Sequence, residues 1–241
     1  MFKNKNPLRR RQYIGSLIGI GIGIIIYIVL PLKQSEDFLS LGPLNTGHEG
    51  LSCNACHTDA KGTLLQQIQS NIAFTFGARK TEADFGTENV DNKKCLECHD
   101  RPNDRHPTHR FMEPRFKDAI ANINATECET CHKEHNDTRV VLPDAKFCIN
   151  CHYDLEVKND PIDTPHSTLI ANEQWSTCLQ CHDFHGNHIY DVAEKMKDTI
   201  PLQQIQAYLK GGKDPFSTKK KHLPLSEEEW LKMKQKYKKT K

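Results

Sequence analysis

The chain is short of the residues that build a conventional core. Aromatic residues make up 7% of its 241 positions, tryptophan occurs twice and methionine four times. With 27% charged residues and a mean hydropathy of -0.68, side chains alone do not supply enough apolar mass for a large core. No cysteine stands outside a Cys-x-x-Cys pair, which excludes a framework of scattered half-cystines. Basic residues do not interleave with aromatics along an extended face, which excludes a nucleic-acid binder. Period-two strand patterns are also missing.

What the chain does have is one motif repeated five times. Cys53-x-x-Cys56-His57, Cys95-x-x-Cys98-His99, Cys128-x-x-Cys131-His132, Cys148-x-x-Cys151-His152 and Cys178-x-x-Cys181-His182 take up all ten cysteines. This is the spacing of covalent c-type haem attachment. Each thiol of a pair adds across one vinyl group, and the following histidine binds the iron from one face. A zinc ribbon needs pairs of pairs and would leave the fifth over; a disulfide scaffold would not produce five identical triplets. Five covalently bound haems are therefore expected, and with them the apolar mass that the side chains lack. The gaps between motifs are uneven, so the repeating unit is an attachment site and not a solenoid repeat.

One stretch is strongly apolar. Tyr13 to Leu32 carries no charge and has about the 20 residues that cross a bilayer as a helix. Lys3, Lys5, Arg9, Arg10 and Arg11 precede it, which by the positive-inside rule puts residues 1–12 in the cytoplasm and those after 33 outside it. The run is too long for a signal-peptide core, and Pro31-Leu32-Lys33-Gln34-Ser35 offers no small-x-small cleavage site. Gly15, Gly19 and Gly23 share a helical face that could pack against a partner helix. The expected location is a bacterial cytoplasmic membrane, crossed once, with the haem domain on the periplasmic side, where thiols can be matured.

The expected fold is mostly α with extensive loops, short helices and loops wrapping a haem stack behind one N-terminal transmembrane helix. The expected segments are a cytoplasmic N-terminus (1–12), an anchor (13–32), a linker (33–47), a pentahaem domain (48–190) and a basic helical tail (191–241). Leu64, Leu65, Ile68, Ile72 and Phe76 have the spacing of an amphipathic helix lying on a haem or on its neighbours. Pro114–Ile123 and Pro201–Lys210 read as short helices, the second ended by Gly211-Gly212. Ser226-Glu227-Glu228-Glu229 is a capping box opening a helix with Trp230, Met233 and Tyr237 on one side. That helix is expected to be solvated, or else to dock an acidic partner or anionic lipid.

Thirteen histidines less the five in motifs leave eight: His48, His106, His109, His135, His166, His185, His188 and His222. Five irons need at most five second ligands, so bis-histidine, low-spin coordination is expected. The candidates are His48, His106, His135, His166, His185 and His188. His106 is preferred to His109, and His188 competes with His185. His222 lies in the lysine-rich tail and is expected to be idle. Met112 and Met196 are less favoured substitutes. His135 and His185 stand three residues after a motif histidine, a spacing that cannot wrap the same iron but reaches a neighbouring one. Arg101–Arg115 is the expected clamp for haem propionates or for an anionic substrate.

The five triplets behind an apolar helix resemble the membrane-anchored multihaem c-type cytochromes of bacteria, both the class III-like cytochromes with bis-histidine ligation and the NapC/NirT type of quinol dehydrogenases. The resemblance covers the anchor and residues 48–188. It implies that His57, His99, His132, His152 and His182 are proximal ligands. The first motif continues His57-Thr58-Asp59, without the CxxCHxM methionine of some NapC/NirT relatives, and no CxxCK motif of cytochrome c nitrite reductases is present. The expected function is electron transfer between a membrane or periplasmic donor and a periplasmic acceptor, with no catalytic residue. The alternatives are a quinol dehydrogenase feeding a terminal reductase, a small-anion reductase with one open-coordinate haem, or a subunit of a larger respiratory complex.

Overall fold

The computed structural model describes residues 7–29 and 41–239. The chain divides at Pro43 into two units. The first is described through α1 (Pro7–Val29), a helix of 23 residues opened by a proline, which suits a first helical turn. Its isoleucines are exposed, and side chains added at Gly15, Gly19 and Gly23 would meet nothing within 4 Å. From Tyr13 to Val29 it rises about 25 Å, short of the roughly 30 Å of a hydrocarbon core. The expected span is completed by residues 30–32, which lie outside the described residues, as do 33–40 of the expected linker. Among the described residues, no helix is long and apolar enough to cross a membrane.

The second unit runs from Leu44 to Lys241 and includes the expected tail. Its helices are α2 (Cys53–Cys56), α3 (Leu64–Thr75), α4 (Asn92–Leu96), α5 (Lys117–Asn122), α6 (Ile149–His152), α7 (His166–Ala171), α8 (Cys178–Cys181), α9 (Leu202–Leu209) and α10 (Glu227–Lys239), with short 3-10 turns between them. No strand forms among the described residues; two isolated bridges, Asp59 with Thr87 and His188 with Lys220, are the only extended pairing there.

Local signals explain the longer helices. Thr63 and Gln66 form a capping box at the start of α3. The α9 helix stops where Gly211 takes φ +100, a conformation that favours glycine, and the Gly211 amide bonds the Tyr208 carbonyl. Ser226 and Glu229 cap α10 reciprocally. The expected Pro114–Ile123 helix is broken into a 3-10 turn, Pro114–Phe116, followed by α5.

The apolar side of α3, with Leu65 and Ile72, packs on no other part of the polypeptide, which leaves it for the haem face expected there, and polar side chains hold the helix in place. Its buried residue is Gln67, which donates to the Ala60 carbonyl and accepts from the Gly86 amide, while Asn71 makes a matching pair of bonds with Ala83. The α10 helix is not a solvated terminus. Trp230 is 5% exposed, its indole N–H donates to Glu97 at 2.7 Å, and the Lys94 and Lys234 ammonium groups lie over its ring at 4.9 and 4.2 Å. The amide of Leu225 donates to the Cys98 carbonyl, so α10 is strapped across the second motif.

Only nine apolar residues are buried among the described ones. Ala145, Leu179, Ile205 and Leu209 form one cluster, with Val140, Phe184, Tyr208 and Phe216 packed on it, joining the fourth and fifth motifs to α9. With so small a core, each buried aromatic matters. Trp230→Ala is expected to cost about 3–5 kcal/mol, read as a lowered denaturation midpoint and as early proteolysis after residue 225.

Candidate functional site

Each Cys-x-x-Cys-His segment closes on itself as a single turn. The amides of His57, His99, His132 and His182 donate to the carbonyl of the first cysteine of their own motif at 2.8 to 3.0 Å. The fourth motif crosses from a 3-10 turn, Lys146–Cys148, into α6. Residues three and four apart share a helical face, so the two sulfurs of a motif project together beside its histidine. None of the ten cysteines pairs in a disulfide.

Every motif histidine faces one histidine from outside the motifs. Naming the sites by motif order, the ring centroids are 6.4 Å apart for His57 and His135 (site 1) and 5.8 Å for His99 and His48 (site 2). They are 6.1 Å apart for His132 and His185 (site 3), 6.2 Å for His152 and His106 (site 4) and 6.1 Å for His182 and His166 (site 5). No imidazole is used twice. Of the six candidates named from the sequence, five stand opposite a motif histidine and His188 does not.

The spacing suits an iron held between two rings. Metal–imidazole bonds of about 2 Å on either side, plus the ring radius at each end, give roughly 6 Å between centroids. No cluster of three or more His, Cys, Asp or Glu able to hold a bare metal ion occurs among the described residues. Two axial donors per site leave the equatorial positions to a group that brings its own ligands, as a porphyrin does. Protonation fits as well: burial lowers the pKa of His99 to about 4, with Arg101 adding to the effect, and lowers those of His106, His132 and His182. Neutral imidazole is the form that offers a lone pair to a metal.

The other ring nitrogen is held in place. Nδ1 of His48 bonds Glu134 at 2.7 Å, that of His185 bonds Asp104 at 2.9 Å, and that of His166 bonds Asp160 at 2.9 Å. Backbone carbonyls serve His106 (Phe184, 2.6 Å) and His132 (Arg139, 2.8 Å). With Nδ1 engaged, Nε2 is left for the space between the rings. The His57 Nδ1 is buried with no hydrogen-bond partner. The hydrogen bond to Glu134 outweighs burial and raises the His48 pKa.

The turns after two motifs send the second histidine to another site. His135 has φ +62, a left-handed conformation that a β-carbon makes costly, and it turns away from His132 toward site 1. After His185 the turn falls on Gly186, φ +66, where an added side chain would run into Arg105. Motifs also meet one another. The Cys128 amide donates to Asn92, in the helix that carries Cys95, and Cys148 and Cys178 pack on one apolar cluster.

The remaining candidates are placed elsewhere. His188 is buried between two carboxylates, Nδ1 to Asp183 and Nε2 to Asp214, each at 2.6 Å. It ties residues 183–188 to the following loop, so its competition with His185 ends in a structural role. His109 and Met112 are exposed, and His222 lies in the loop held by Asn187. Met196 is in a 3-10 turn. The expected arginine clamp does not converge, because Arg110 and Arg115 both pair with Glu113 at the surface. Arg101 and Arg105 lie near the motif histidines, where Arg101 helps lower the pKa of His99 and His132 and Arg105 that of His182. Sequence reasoning missed Glu134, Asp104 and Asp160. Glu134 sits beside His135 in sequence, but its bond to His48 is tertiary.

A family model described as cytochrome c3 matches residues 78–153, the stretch that holds the second, third and fourth motifs. No curated protein and no solved structure matches the chain. The match supports a multihaem c-type cytochrome, with covalently bound c-type haem and electron transfer as its work.

The His188 clamp has a pH signature. Burial disfavours the imidazolium, but the Asp183 and Asp214 carboxylates on its two nitrogens outweigh this and raise the pKa above 6.5. A raised histidine pKa stabilises fully below the unfolded value, and the contribution is lost as pH rises through the folded value. Unfolding midpoints should therefore fall as pH is taken upward from 6.5, and His188→Gln should flatten that segment of the profile.

Proposed function

We propose that the chain is a membrane-anchored pentahaem c-type cytochrome that carries electrons between a membrane or periplasmic donor and a periplasmic acceptor. The observation that carries this reading is the set of five facing imidazole pairs, one per attachment motif and none shared. When bound, haem supplies a one-electron ferric/ferrous couple at each site. The polypeptide does the rest. Paired thiols tether each group through the motif turn, and His57, His99, His132, His152 and His182 bind on one face. His135, His48, His185, His106 and His166 bind on the other.

With both axial positions filled by imidazole, no site has a position open to nitrite or another small substrate, which favours a carrier over a reductase. Bis-imidazole ligation also needs little rearrangement between oxidation states and lies at lower potential than histidine–methionine ligation. The anchor is α1, continued by residues 30–32, with Arg9, Arg10 and Arg11 on the cytoplasmic side. The donor and acceptor are redox partners of this domain. Quinol is the alternative donor, and the glycine face of α1 is the contact for a partner helix.

Electron paramagnetic resonance of the oxidised holoprotein should show low-spin ferric signals integrating to five per chain, and the reduced protein should not bind carbon monoxide. His185→Ala should convert one-fifth of the signal to high spin and create one carbon-monoxide site, whereas His109→Ala should leave both readouts unchanged. A high-spin signal in the parent protein overturns the carrier reading in favour of a reductase. Removing residues 1–32 and supplying a secretory leader should move the cytochrome from the membrane pellet to the soluble periplasmic fraction with its haem spectrum intact.

A further inference from the structure

Three of the five outer histidines rest on carboxylates, and one rests on a neutral carbonyl. We propose that Glu134, Asp104 and Asp160 are positioning residues that hold sites 2, 3 and 5 at lower reduction potential than site 4. The proposal rests on the imidazole pairs being the axial ligands.

The three carboxylates are set the same way. Each accepts Nδ1–H from an outer histidine with one oxygen and a backbone amide with another contact. Asp104 takes the His106 amide at 2.9 Å, Glu134 the Asn45 amide at 3.2 Å and Asp160 the His166 amide at 2.6 Å. The Asn45 amide fixes Glu134 independently of the histidines, whereas Asp104 and Asp160 are held by the backbone amides of His106 and His166. Their side chains are 12%, 33% and 17% exposed for Asp104, Glu134 and Asp160. Among the described residues no lysine or arginine lies within ion-pair distance of any of them; the Arg101 guanidinium acts on Asp104, and on the motif histidines of sites 2 and 3, only at longer range.

A carboxylate accepting Nδ1–H draws the proton toward itself and gives the ring imidazolate character. That raises the basicity of Nε2 and favours the more positive oxidation state of a metal bound there. At site 4 the same position is taken by the Phe184 carbonyl, a dipole without net charge, 2.6 Å from His106. His106 and Phe184 also stack at 4.2 Å between centroids, so that ring is backed by an apolar neighbour. The three carboxylate-backed sites are contiguous. Sites 2 and 3 meet where the Cys128 amide donates to Asn92 in the helix of Cys95, and sites 3 and 5 through the single segment His182–His185. Site 4 joins them where Cys148 and Cys178 pack on one apolar cluster and where His106 rests on Phe184. On reduction, site 4 takes up an electron before its three neighbours.

The test is a potentiometric titration of the five-haem holoprotein followed by visible absorption and paramagnetic resonance. Glu134→Gln, Asp104→Asn and Asp160→Asn keep an accepting oxygen and remove the charge. Each should move one reduction step upward by at least tenfold in its equilibrium constant, 59 mV for one electron, with low-spin spectra preserved. Glu134→Asp, Asp104→Glu and Asp160→Glu restore the charge and should return that step toward the parent value, which a purely structural role would not do. In the parent itself, site-resolved nuclear magnetic resonance of partly reduced samples should find site 4 reduced ahead of sites 2, 3 and 5. Unchanged steps in all three neutral variants with low-spin spectra intact overturn the proposal, as does a parent in which site 4 reduces after any of those three. A high-spin parent signal overturns instead the ligand assignment beneath it.

Discussion

Two imidazoles held face to face about 6 Å apart, one inside a motif turn and one delivered by distant backbone, set the constraint on which the rest of the unit depends. It has to be met five times by a polypeptide whose apolar core is one small cluster beside α9. The chain meets it with polar side chains that grip backbone. Asn45 donates to the Lys133 carbonyl and accepts from the Asn136 amide, Asn92 bridges Thr126 and Cys128, and Gln180 reaches Ile200. Each such bond is worth only about 0.5–1.5 kcal/mol net, but each is directional. Direction is what ring placement requires, whereas packed leucines fix volume more than orientation.

Charge is divided along the sequence in a way that suits this plan. Residues 48–190 hold 14 Lys and Arg against 22 Asp and Glu, while residues 191–241 hold 13 against 7. The basic segment does not hang free. It returns to the acidic part through Lys234 with Glu97, Trp230 beneath two ammonium groups, and Lys221 on the Gly186 carbonyl. Long-range attraction guides such a segment home, but exposed ion pairs add little stability by themselves. The buried indole fixes the final position, because among the described side chains of α10 it is the only large apolar one inserted fully.

Much of this was legible locally and little of it tertiarily. The motif turns, the glycine end of α9 and the capping box of α10 are decided within four or five residues, so spacing and residue type were enough to find them. The spacing of His135 and His185 also said that they serve a neighbour, because three residues cannot encircle the plane of their own site. What the sequence could not say is which neighbour. His185 and His188 were equivalent on paper, and what separates them is Asp214, a carboxylate 26 residues beyond His188. Likewise the hydrophobic period of α3 located the helix, but the polar residues Gln67 and Asn71 hold it. Asn45 fell within the expected linker and is in fact buried against the loop after the third motif. In a chain with so little apolar core, the hydrophobic pattern carries less information about docking than it does elsewhere.

The two motifs followed by a second histidine explain why the sites form a connected set. A backbone segment of four residues that carries ligands for two sites fixes those sites relative to each other with almost no conformational freedom. His132 and His135 do this for sites 3 and 1, and His182 and His185 for sites 5 and 3. Site 3 is therefore tied rigidly to two others, and through Cys128 on Asn92, in the helix of Cys95, it also touches site 2. Site 4 has no such bridge, since the second histidine at that position is His106, delivered by the loop after the second motif. Its links are side-chain contacts instead: His106 on Phe184, within the His182–His185 segment, and the shared core at Leu179 and Ala145. A scaffold built this way keeps its central sites in register even where loops relax, because the elements that must not move are turns closed by their own hydrogen bonds.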